Sequence, residues 1–124
     1  MNASRLTSIR LLIFLSATVL GVGLLPSRSL AATKTWSGNG ADANWGTAAN
    51  WTAGVAPVYG DDLVFPAGAL RLANVNNISS GTSFRSLTFQ AAGYSITGNS
   101  FKINNAAGIT VTSAVTSGTV TINL

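Results

Sequence analysis

Two hydrophobic rhythms divide this chain of 124 residues. Residues 11–25 are almost continuously apolar, whereas from Asp62 onward apolar and polar positions alternate in short bursts. Those bursts are Leu63-Val64-Phe65, Leu70-Arg71-Leu72, Leu87-Thr88-Phe89, Tyr94-Ser95-Ile96, Phe101-Lys102-Ile103, Ile109-Thr110-Val111 and Val120-Thr121-Ile122, separated by clusters of Gly, Asn, Ser and Ala. Period-two alternation of β-branched and aromatic residues predicts strands with one buried face. No helix of ordinary length fits after Pro26.

The spacing of the bursts discriminates among all-β architectures. Leu87 and Ile109 lie about 22 positions apart, as do Phe89 and Val111, with two further short strands between them, which suits one coil of three strands and three turns. The predicted fold is a short right-handed parallel β-helix, or β-solenoid, with an irregular N-terminal cap. Leu87, Phe89, Ile96, Ile103, Ile109 and Val111 would fill its axis, and Thr88, Ser95, Lys102 and Thr110 would face water. Asn99, Asn104 and Asn105 would turn the corners, where asparagine tolerates left-handed backbone. An antiparallel β-sandwich of seven short strands is the alternative that explains the same alternation.

The early apolar run reads as an export signal. Arg5 and Arg10 precede it, Pro26 breaks it, and Ser29 and Ala31 stand at positions minus three and minus one of a small-residue end. About 15 residues make a helix of roughly 22 Å, short of the ~30 Å needed to span the hydrocarbon core. Cleavage is expected after Ala31 or Ala32. The chain then divides into a signal peptide (1–31), a cap (32–60) rich in Gly, Ala, Asn and Trp, and solenoid strands (61–124) that form an incomplete set. Contact with a membrane is expected only during export, and the product is expected to be secreted or held at the cell surface.

Removing the signal changes the electrostatics. The whole chain carries a formal charge of +4. Without Arg5, Arg10 and Arg28, four cations (Lys34, Arg71, Arg85, Lys102) face Asp42, Asp61 and Asp62, about +1 net, with no basic stripe for nucleic acid. Cysteine and histidine are both absent, so disulfides and the zinc frameworks built on these residues are excluded.

Catalytic chemistry finds little material. Neighbouring residues of a strand point to opposite faces, so Asp61 and Asp62 make a poor glycosidase pair, and a role in starting the strand at Leu63 suits them better. Serine nucleophiles lack a histidine base, and Ser100 and Lys102 share a strand face without an oxyanion loop. Gly38-Asn39-Gly40 precedes no helix that could cradle phosphate. No catalytic residue, metal ligand or cofactor is therefore assigned. Asn50-Trp51-Thr52 and Asn77-Ile78-Ser79 match the glycosylation acceptor pattern. Exported proteins stack exposed tryptophan on sugar rings, which makes Trp36, Trp45 and Trp51 candidate glycan contacts; the same indoles would also serve to shield the end of an apolar axis.

The succession Thr35-Trp36-Ser37-Gly38-Asn39-Gly40, Asn44-Trp45, Ala49-Asn50-Trp51, Val55-Ala56-Pro57 and Gly60-Asp61-Asp62-Leu63-Val64-Phe65 resembles the opening of bacterial autotransporter-associated β-strand repeat proteins. Ser86-Leu87-Thr88-Phe89 and the stretch from Gly93 to Asn99 resemble them too. The resemblance covers essentially the whole chain after the signal. It implies the N-terminal portion of a β-helical passenger displayed at the cell surface, hence a non-enzymatic structural or adhesive module with a surface glycan or protein as partner. A secreted carbohydrate-binding module using the tryptophans is the alternative. The chain stops at Leu124 within a strand-like run, so either further repeats are expected beyond it or self-association through the open C-terminal edge.

Overall fold

The computed structural model describes residues 30–112 and 115–124, and the segment expected to be a signal peptide (1–31) lies outside them except for Leu30 and Ala31. The strands are β1 (Thr33–Thr35), β2 (Asp62–Phe65), β3 (Ala73–Asn76), β4 (Thr82–Phe84), β5 (Ser86–Phe89), β6 (Ser95–Gly98), β7 (Phe101–Ile103), β8 (Ile109–Val111) and β9 (Thr121–Asn123). They form three sheets, ordered β1-β2-β5-β8, β3-β6-β9 and β4-β7. Every named strand pair is parallel.

That pairing replaces the antiparallel sandwich. From β2 onward consecutive strands lie in different sheets, so each connection carries the chain across to another sheet instead of folding it back as a hairpin. The chain visits the sheets in a fixed rotation, β2-β3-β4, then β5-β6-β7, then β8-β9. The interval read from the sequence is the observed register, with Leu87 opposite Ile109 and Phe89 opposite Val111.

In-register pairing stacks like residues into columns. Leu63 pairs with Leu87 and Phe65 with Phe89 across β2 and β5, and all four are fully buried. The two phenyl rings stack 4.9 Å apart at 15°, with the Tyr94 ring 5.4 Å and 5.7 Å from them. Burying each such side chain contributes about 1.5–3 kcal/mol. Ile109 and Val111 continue the same columns but remain 49% and 48% exposed, contrary to their predicted place in a filled axis. The reason is positional: β8 ends its sheet, and no described strand lies beyond it. Ile103, stacked on Phe84, is half-buried.

Two local expectations fail. Leu70-Arg71-Leu72 is a bend, with Leu70 70% exposed, because the Arg71 side chain reaches back to the carbonyls of Gly38 and Gly40. Left-handed backbone among the described residues belongs to glycine alone, so Asn99, Asn104 and Asn105 turn corners by hydrogen bonding instead. Asn99 N–H donates to the Asn76 carbonyl at 2.7 Å, Asn104 N–H to that of Phe84 at 3.0 Å, and Asn105 Oδ1 accepts from Ala107 N–H. Gly98 ends β6 at φ +103°, where a Cβ would stand 2.4 Å from the Asn76 oxygen, so only glycine fits this corner.

Candidate functional site: an indole cap and an open end

Residues 32–60 seal one end of the sheets by joining two of them. β1 pairs with β2, placing Thr33 opposite Asp62. Farther on, Asn44 bridges Val75 in parallel, with Trp45 N–H donating to the Val75 carbonyl and Val75 N–H to that of Ala43, both at 2.9 Å. A 3-10 turn, Ala48–Asn50, then returns the chain so that Trp51 bridges Trp36 antiparallel. The cap thus supplies the first rung of the first and second sheets.

These rungs bring the three tryptophans together over the core. Trp36 and Trp51 meet edge to face at 5.2 Å, and Trp45 lies 5.6 Å from Phe65, 5.9 Å from Phe84 and 5.9 Å from Phe101. Each indole N–H is used internally: Trp36 Nε1 donates to the Arg71 carbonyl, Trp45 Nε1 to Asn74 Oδ1 and Trp51 Nε1 to the Trp45 carbonyl. Trp36 and Trp45 are fully buried and Trp51 is 2% exposed. Stacking on sugar, one of the two roles expected of these tryptophans, needs a free ring face. Here the faces are covered by one another and by phenylalanine, so the shielding role is the one the geometry serves.

A polar frame holds the cap loop. Asp42 accepts from Asn44 N–H, Asn44 Nδ2, Thr47 Oγ1 and Asn50 Nδ2. These bonds, led by the Asn44 backbone and then the Thr47 hydroxyl, hold its carboxyl below the usual carboxylate range. Asn50 is buried, its Nδ2 also donating to the carbonyls of Asp42 and Asn44 and its Oδ1 accepting from Gly40 N–H at 2.7 Å. That amide is therefore consumed in the fold and is not free as an acceptor in the folded chain. Asn77 is exposed, with Oδ1 accepting from Gly46 N–H.

The remaining carboxylates serve the start of β2, as their position before Leu63 suggests. Asp62 accepts from Ser86 Oγ at 2.6 Å and stands 3.6 Å from Arg85 Nε. Asp61 is buried and accepts from the backbone N–H groups of Ala32 and Val58, each at 3.0 Å. Ala31 is exposed and Ala32 half-buried, so the two cleavage candidates lie where the chain meets the cap. Ser100 and Lys102 are both exposed, and the Ser100 hydroxyl meets that of Ser80 at 2.7 Å. Among the described residues no pocket opens and no three potential metal ligands gather.

The opposite end presents apolar surface. Ile109 and Val111 on β8 and Leu124 beyond β9 are each about half exposed, and Ile122 is half-buried. Comparison with known protein families, curated proteins and solved structures finds no match to this chain.

Proposed function

We propose that this chain is an exported structural module, the first coils of a right-handed β-helical passenger of the autotransporter-associated β-strand repeat kind, presented at the cell surface without enzymatic activity. The observation that carries the reading is the rotation of the chain through three parallel sheets with like residues stacked in register, closed at one end by indoles and apolar at the other. Parallel crossovers of this kind are right-handed in nearly all proteins. Such a stack grows by adding coils, and its strand edges and apolar end surface at β8 suit another coil, from a longer chain or a second copy. The outer faces, which carry Thr97, Thr110 and Thr121, form the surface offered to a glycan or protein partner.

The test is display. The full chain, expressed in a bacterium with an outer membrane, should be lost from intact cells on protease treatment, or be recovered in the medium, with a signal-deleted chain as the protected control. Retention of the full chain in the cytoplasm would refute the proposal.

A further inference from the structure

Asp61 is the one carboxylate that the described residues bury, at 1% exposure. Both its oxygens accept from backbone amides, Oδ1 from Ala32 N–H and Oδ2 from Val58 N–H, each at 3.0 Å. Among the described residues the ion pair joins Arg85 to the adjacent Asp62, leaving no cation on Asp61. A carboxylate withdrawn from water without a countercharge is unfavourable, and buried charges in proteins are ordinarily paired. The sequence contains a reaction that would make the missing cation at the right atom.

We infer that the mature chain begins at Ala32 and that its new α-ammonium group is the counter-ion of Asp61. This rests on the export reading and chooses between its two cleavage positions. Water, delivered by a signal endopeptidase, adds across the Ala31–Ala32 amide. Its oxygen goes to the Ala31 carbonyl carbon, the C–N bond breaks, and the departing nitrogen takes one proton from the water. The proton left on the Ala31 carboxyl group passes to the same nitrogen, giving a carboxylate on the released segment and an ammonium on Ala32. A neutral N–H donor 3.0 Å from Asp61 Oδ1 thereby becomes a charged one, and charge-assisted bonds are roughly twice as strong.

Cleavage one residue later would discard this device. It removes the donor to Asp61 and also the Ala32 carbonyl, which accepts from Asp62 N–H at 2.9 Å and opens the β1–β2 ladder. Cleavage after Ala31 keeps both contacts. Processing thus tethers β1, and with it the cap, to the buried start of β2.

The test begins with the N-terminus of the exported full-length product, read by intact mass and sequencing. A start at Ala32 is expected. A start at Thr33 or any other residue would overturn the inference while leaving export intact, whereas an uncut, retained chain would overturn both. The ion pair is then read from the rate at which an amine-reactive acylating reagent modifies the α-amine, with Lys34 and Lys102 as internal references in the same digest. In the native chain the α-amine should react at least about tenfold more slowly, relative to those lysines, than in the chain unfolded by urea, the scale set by a hydrogen bond to a charged group. Asp61→Asn should abolish the protection while circular dichroism stays unchanged. Equal relative rates in native and unfolded wild type would overturn the ion pair even if Asp61→Asn does not fold.

Discussion

Asn76 occupies a position on β3 where a sheet interior ordinarily takes an aliphatic side chain, and both ends of its amide are in use. Nδ2 donates to the Asn99 carbonyl at 2.6 Å and Oδ1 accepts from Ile78 N–H at 3.1 Å, tying the corner after β3 to the corner after β6. Truncation would remove both hydrogen bonds, leaving the carbonyl of the exposed Asn99 and the N–H of the half-buried Ile78 without this partner. Asn76→Ala should therefore cost about 0.5–1.5 kcal/mol for each lost hydrogen bond, read as a lower urea midpoint at unchanged slope. Tyr94 makes the complementary case, a hydroxyl at the edge of the aromatic column that donates to the Pro66 carbonyl at 2.6 Å. Burial pushes its phenol up to about 12 from the ordinary 10.0. The folded chain then holds this proton more tightly than the unfolded one, so the contribution is complete below pH 10 and declines as pH rises toward about 12. Tyr94→Phe should be less sensitive to alkali across that window, measured by urea unfolding at stepped pH.

At the scale of elements, the cap depends on a loop whose turn chemistry comes from one side chain. Asp42 accepts from Asn44, Thr47 and Asn50, and its carboxyl is held below 3.8 by those bonds. A lowered folded value means the stabilisation is present above the unfolded value and is lost as pH falls through the folded one. Asp42→Ala should destabilise the chain at neutral pH, with the gap from wild type closing as pH drops well below 3.8; a gap of constant size across the series would contradict this account. The same scale shows how far the sequence could be read. β5 on β8, β6 and β7 were legible because Leu87, Phe89, Ile96 and Phe101 keep the alternation of a half-buried strand. β3 was not, since Asn74 and Asn76 are buried amides that read as turn residues until their partners across the corner are known. β4 has three residues and one buried side chain, Phe84, too little pattern to find. Leu70 and Leu72 imitate a strand while Arg71 is used as a clamp on Gly38 and Gly40. In the cap, the tryptophans were legible as a group, but only the register of Trp36 on Trp51 and of Asn44 on Val75 decides that they face inward.

For the molecule as a whole, the two ends are unlike, and the difference sets how it can assemble. One end is covered by Trp36, Trp45 and Trp51, whose faces and N–H groups are satisfied internally. The other carries Ile109 and Val111 half exposed on a strand with, among the described residues, a neighbour on one side only. An open strand edge with apolar residues is a template for further pairing, and natural proteins block such edges with lysine. The chain from Ala32 onward should therefore self-associate through this end, by contact of open end with open end, because the capped end offers no matching surface. Val111→Lys and Ile109→Lys should each shift the chain to monomer in sedimentation, with the far-ultraviolet spectrum unchanged, since both side chains already face water in part. Lys102→Glu, on the exposed face of β7, is the control and should leave association as it is. A wild-type chain that sediments as a monomer at every concentration would contradict self-association through this end.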